Sequence, residues 1–496
     1  VTTLSAIKRA SAQGRVWLAQ VLCPQWRIYF VLIATIFLYD AVGAVSPGQG
    51  KITLWQSVQG IIFGMLCFAT LWAAIRPRCP TMLTVLWGRL PPIMRWRGWR
   101  AMYAIALVLI LWNDVRWQVG DVMAGRYHND AISFVHMDAD LVLHGRNPYT
   151  ADDAFWTAIA RWPATSATAL LGSTAFGSDP LAYPSFEVTN HLLVTQLQHP
   201  ATRGNDFDPR TVHNYPAGII LLALPFVWAG VPSLVWLNLI ALLGMFALVL
   251  VRADVRHRPA LALMMVLNPA LALFGFFVNF DVVALVFVLA AWHWFQREII
   301  SALLIGFACA VKQIAWFVAP FYLLAVARRE GPVVALRRAG WMLLAFLVPN
   351  LPFIIASPSA WAHSQLVPLT DSLFPLGFGA VTLAMGGGIP FGSPHLWTLA
   401  VLVVLAGLLA VQWRRGAPLG ESLLLALVPL WFSWRSPMNY FALLPVLAAW
   451  VVAGYLAPVL TTPEPPPAII PEQPPMRTVT RHEYVNRGTL VLSREG

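Results

Sequence analysis

The stretch DVVALVFVLAAWHWFQREIISALLIGFACAVKQIAWFVAPFYLLAVARR, residues 281–329, decides the architecture. Between Val282 and Ala327 its only formal charges are Arg297, Glu298 and Lys312. A helix needs about 20 predominantly apolar residues to cross a bilayer. One crossing is therefore expected over 281–296 and a closely spaced pair over 299–328.

The same pattern recurs on both sides. Further helices are expected near 28–46, 54–75, 101–118, 233–251, 259–277, 339–356, 396–413, 420–434 and 441–458. Of 496 residues, 58% are hydrophobic and only 11% charged. A soluble domain carries about 25% charged residues. So few charges cannot cover a water-exposed surface. This excludes a soluble enzyme, a disordered chain and a disulfide-stapled secreted scaffold. The fold class is an all-α polytopic membrane protein.

The net charge of +11 fits basic loops on the cytoplasmic side rather than nucleic acid, because no basic stripe with interleaved aromatics occurs. Lys8, Arg9, Arg15 and Arg27 place the amino-terminal end inside. The Arg76–Arg100 stretch, then Arg252, Arg256 and Arg258, then Arg297, then Arg328, Arg329, Arg337 and Arg338, and finally Arg414 and Arg415 mark the later inner loops. The outer side receives Asp114 to Tyr215, the Val278–Asp281 turn with 357–395, and the Arg435–Tyr440 turn. Full insertion of 216–230 would set every later loop against this charge bias. That segment, and 373–391 with its Gly386-Gly387-Gly388 run, are read as dipping into the outer face. The total is about twelve crossings with both termini cytoplasmic.

Three regions follow. Residues 1–100 hold a polar amino-terminal stretch, without a cleaved signal peptide, and two helices. Residues 101–458 form the transmembrane module, with an outer loop over about 114–215. Residues 459–496 are a proline-rich cytoplasmic linker, TTPEPPPAIIPEQPP, and a polar tail. The absence of an internal repeat weighs against inverted-repeat transporters. Cys23, Cys67, Cys79 and Cys309 lack CxxC spacing, so neither a disulfide framework nor a zinc site is expected.

The outer loop far exceeds ordinary loop lengths and is rich in carboxylates, histidines and aromatics, which points to function. Its first part, HNDAISFVHMDADLVLHGRNPYT, predicts an amphipathic helix from about Ala131 to His144. Asp130 falls at or near its amino end, where a carboxylate caps and meets the positive end of the dipole. Gly145 suits the stop, with Pro148 just beyond. Asp138 and Asp140 form a DxD, but residues two apart face different sides of a helix, so they read as solvated or structural. His128, His136 and His144 recur every eight residues and read as a polar helix face.

NDAISFVHMDADLVLHGRNPYT resembles the first-loop signature of the GT-C glycosyltransferases, with an acidic residue, an aromatic-containing helix and a G-x-[NS]-P-Y turn. The bacterial polyprenol-phosphate mannosyl- and arabinosyltransferases are the similar enzymes, and the eukaryotic first mannosyltransferase of the glycolipid-anchor pathway is more distantly so. NYPAGIILLALPFVWAG is similar to the family's Tyr-Pro segment, the 278–324 region to its Gly-rich helix with a lysine, and FSWRSPMNYFALLPVL to its late arginine-to-tyrosine turn. The resemblance covers about 101–450, and the two helices before residue 90 are extra.

It implies a GT-C-like bundle with a long extracytoplasmic catalytic loop containing juxtamembrane helices. The expected partners are a polyprenyl-phosphate sugar donor, a glycolipid or glycan acceptor, and membrane lipids, with no nucleic acid. Asp130 matches the family's general base by its distance to Pro148-Tyr149, and Asp114 is the rival base. For the donor phosphate the candidates are Lys312, costly inside its apolar run, Arg435 at an outer helix end, and more weakly Arg210 and His213. Lys312 has a second reading, a structural pair with Asp281. Asn147, Tyr149, Tyr215 and Tyr440 are the expected substrate-loop residues. No metal ligand set is expected, and a divalent cation is left open as cofactor. The competing function is a multi-pass transporter or flippase for a polar or lipid-linked solute.

Overall fold

The computed structural model describes residues 27–45, 52–76, 129–151, 154–164, 186–199, 213–266, 279–370 and 373–457, with a few isolated positions between them, Tyr127 and Asn268 among these. Residues 77–100, nearly all of the expected helix at 101–118 and everything after Ala457 lie outside the described residues. Contact density divides Val1–Ala457 from Pro458–Gly496.

The described chain is almost wholly helical. Among the described residues five helices are long and apolar enough to cross a membrane: Arg27–Ala44, Leu54–Ile75, Val235–Arg252, Pro332–Ala356 and Pro394–Arg414. Each overlaps an expected crossing. Leu396, Leu399, Leu402 and Val403 stand exposed along the last of these. An apolar helix exposed on this scale requires a nonpolar solvent. The protein is therefore membrane-embedded and helical.

Elsewhere the expected crossings are shorter or broken. Asp281–His293 has 13 residues, and the expected pair is Glu298–Val311 followed by Ile314–Glu330. The 420–434 segment divides into Leu419–Leu425 and a 3-10 turn over Val428–Phe432, where Pro429 removes a backbone donor. The 441–458 segment becomes Asn439–Ala442 and Leu444–Tyr455. At 216–230 the helix is Gly218–Trp228, whose 11 residues are too few to span. The 373–391 region contains no membrane-length helix. It carries Leu376–Gly377, paired in parallel with Arg435–Ser436, and the short helix Thr382–Met385.

One inner-loop assignment is corrected. Arg328 and Arg329 belong to the last turn of Ile314–Glu330, and Arg337 and Arg338 to the Pro332–Ala356 helix, not to a loop. Arg338 is fully buried, donating to Glu330 Oε2 at 2.5 Å, Phe295 O at 2.9 Å and Tyr322 OH at 3.1 Å. A buried guanidinium is tolerable only with partners of this kind.

The bundle is drawn tight by small residues. A Cβ on Gly306 would collide with the Met342 carbonyl, so Glu298–Val311 and Pro332–Ala356 meet backbone to backbone. Close approach at small residues is how helices gain contact where lipid removes the hydrophobic drive between them.

Candidate functional site

The Asp130–Leu143 helix begins with Asn129, whose side-chain oxygen accepts from Ala131 N at 2.9 Å. Asn129, rather than Asp130, is the N-cap. Asp130 is the first helical residue, with its side chain buried beside the positive end of the helix. The helix stops as the sequence indicates, with Gly145 in the left-handed region at φ 72°.

The next turn fixes the loop. Asn147 accepts from Tyr149 N at 3.0 Å and caps the 3-10 turn Pro148–Thr150. The buried Tyr149 hydroxyl then donates to Tyr215 O at 2.8 Å. Gln365 Nε2 donates to the same carbonyl at 3.1 Å, and Gln313 Nε2 donates to Asn214 O at 2.6 Å. Ala217 N donates to Asn350 Oδ1 at 2.9 Å. The segment His213–Ala217 is thus held from two helices, from the Pro148–Thr150 turn and from Gln313 at the break before Ile314–Glu330. Asn147 and Tyr149, expected to meet substrate, act here as a cap and a pin.

Lys312 interrupts the helical pair. It caps Glu298–Val311 in an extended conformation, φ −160° and ψ 146°, before Ile314 restarts the helix. Its Nζ lies 3.1 Å from Asp281 Oδ1, donates to Asn279 Oδ1 and sits 4.5 Å from the centre of the Tyr215 ring. Asp281 also accepts from the Asn439 amide. The structural pairing with Asp281 is therefore realised. Asp130 lies within electrostatic reach of both Lys312 and the Tyr215 hydroxyl. Burial, and after it Asp130, Tyr440 and Asp281, holds the Tyr215 phenol well above its ordinary range, so it remains a proton donor.

Asp138 and Asp140 part company as their spacing requires. Asp140 binds Arg161 at 3.0 Å near the surface. Asp138 is sealed from solvent against His213, with the rings of Tyr149 and Tyr215 edge-on to that imidazole at 5.3 and 5.5 Å. Burial pushes the Asp138 carboxyl up, and His213 opposes the rise. His213 is committed to Asp138, which removes it from the phosphate candidates. Its burial beneath two tyrosines was not readable from its spacing.

The histidine face is also corrected. His136 is buried, stacked on Trp162 at 3.9 Å, with Nδ1 2.8 Å from Tyr127 OH. Leu234 N donates to that same hydroxyl at 2.9 Å, and burial favours the neutral imidazole. His144 is exposed and faces Asp140. His128 lies outside the described residues, as do Asp114 and Arg210.

Arg435 donates to Phe374 O at 2.8 Å, and its charge acts on Tyr440, which in turn lies in reach of Asp281 and Tyr215. The site residues brought together are Asp130, Tyr215, Lys312 and Tyr440, with Arg435 at the edge. Asn279 and Asn439 were missed by sequence reasoning. Their one signal is that each neighbours a charged or aromatic candidate at the end of an apolar run.

No family model matches this chain, and comparisons with curated proteins and with solved structures give no match either.

Proposed function

We propose that the protein is an integral-membrane glycosyltransferase that moves a sugar, mannose or arabinose, from a polyprenyl-phosphate donor to a glycolipid or glycan acceptor. The chemistry is assigned to the extracytoplasmic face of the cell membrane, in a GT-C-like bundle of about twelve crossings with both termini inside. The observation that carries this reading is Asp130. It is a buried carboxylate relieved of capping by Asn129 and set within reach of a buried lysine and a protonated tyrosine.

A sugar hydroxyl is a poor nucleophile, and a placed carboxylate corrects that. In the proposed step Asp130 takes the hydroxyl proton as the oxygen attacks the anomeric carbon. The bond from that carbon to the phosphate oxygen breaks, and its electron pair leaves with the polyprenyl phosphate. One displacement inverts the anomeric centre. Lys312 and Arg435 supply positive charge where the leaving phosphate gathers negative charge.

The test uses the full chain in lipid nanodiscs with a panel of polyprenyl-phosphate sugars and a membrane-lipid extract. Wild type should release polyprenyl phosphate from one donor. Asp130→Asn should slow release by at least about a hundredfold. Undiminished release by Asp130→Asn sinks Asp130 as the base.

A second reading, a transporter or flippase, is favoured by the Lys312–Asp281 pair at a helix break, since interrupted helices frame many solute sites. It requires a solute to cross proteoliposomes without any sugar being transferred.

A further inference from the structure

Asp281 opens its helix at the site just described, and His293 closes it about 18 Å away along the axis. That far end holds a second polar constellation. Arg252 is the last residue of Val235–Arg252, and its guanidinium lies 3.8 Å above the Trp450 ring. One turn beyond Trp450, a Cβ on Gly454 would stand 2.7 Å from Arg252 Nε and Nη2. The guanidinium is therefore seated in a slot cut between Trp450 and Gly454. His293 feels its charge.

Arg252 Nε, Trp450 Nε1 and His293 Nδ1 are buried and have no hydrogen-bond partner among the described residues. The first two atoms can only donate. The negative end of the helix dipole explains a basic residue at this position. It supplies no acceptor for the guanidinium Nε or the indole N–H. Glu421 is already shared by Arg76 and Arg415, at 3.9 and 3.7 Å. An anion with several oxygens would answer all three nitrogens. The exposed side chains of Val251, Trp294 and Tyr455 border this end and offer an apolar surface beside the charge.

We propose that Arg252, His293 and Trp450 bind the phosphodiester headgroup of an anionic glycerophospholipid, with its acyl chains against that apolar border. Basic pockets between membrane helices take such headgroups. Free phosphate shares the headgroup chemistry, and the apolar border selects the lipid. The assignment is independent of the transferase reading.

Native mass spectrometry of the purified full chain, titrated with phosphatidylglycerol and with phosphatidylcholine, tests it. Wild type should retain phosphatidylglycerol about tenfold more tightly. Arg252→Gln should lose the preference, and so should Gly454→Ala, which fills the slot without removing a charge. Arg252→Lys, which keeps the charge but not the Nε donor, should lose most of it. Equal retention of the two lipids by wild type overturns the proposal, and so does an unchanged preference in the variants. Displacement of the lipid by about a hundredfold excess of inorganic phosphate overturns the lipid assignment in favour of a free anion.

Discussion

Lys312 Nζ lies 3.1 Å from Asp281 Oδ1, with both side chains buried and the lysine held at the break between two helices. The two residues enter from different helices, and Asn279 and Asn439 complete the shell around them. Truncating one member of such a pair leaves a buried charge alone, which costs roughly 3–5 kcal/mol. Asp281→Leu should therefore be strongly destabilising, while Asp281→Leu with Lys312→Met should recover most of the loss. Denaturant titration in detergent reads both. A cost below about 1 kcal/mol for the single variant would show that the pair is solvated.

The division of labour at the loop helix gives a second prediction. Asn129→Ala removes the cap and should cost about 1 kcal/mol. Asp130→Asn leaves the cap in place and should cost less than half of that, while under the proposed function it slows donor cleavage at least about a hundredfold. Thermal melts followed by circular dichroism make the comparison. Equal losses from the two variants would assign Asp130 to structure.

A pH dependence follows from His136. Burial, with Arg161 second, lowers its pKa from 6.5 to about 4. The unfolded chain then binds the proton that the folded chain refuses. The contribution is complete above pH 6.5 and is lost as pH falls toward about 4. Its full size is about 3 kcal/mol. Asp138 acts in the opposite sense, since its raised pKa removes stability as pH rises above 3.8. The difference between wild type and His136→Gln isolates the histidine, and the acid-side slope should flatten in that variant. Identical slopes would contradict the buried neutral imidazole.

Helix contact gives a fourth. Gly306→Ala pushes a methyl group into the Met342 carbonyl and should cost about 1–3 kcal/mol. Gly340, on the helix that carries Met342, has open space at the Cβ position. Gly340→Ala should be neutral or stabilise by up to about 1 kcal/mol. The unfolding midpoint of Gly306→Ala should fall while that of Gly340→Ala holds or rises, and an equal fall in both would refute the close approach.

The sequence by itself determined the class of molecule. Helix formation and bilayer residence depend on apolar area and hydrogen bonding within one segment, so Leu54–Ile75, Val235–Arg252 and Pro394–Arg414 stand where hydropathy puts them. The stop at Gly145 was legible for the same local reason, as was the division of 299–328 into a pair, although the place of that break at Lys312 came from the structure. Tertiary structure alone decided which polar groups meet. His213 and Asp138 are distant in the chain, as are Asp281 and Asn439, and only the bundle puts each pair in contact. Helical periodicity placed His136 on a polar face, but Trp162 and Tyr127, both outside that helix, bury it. Burying a polar group is costly until a partner arrives, and the partner arrives by packing rather than by spacing.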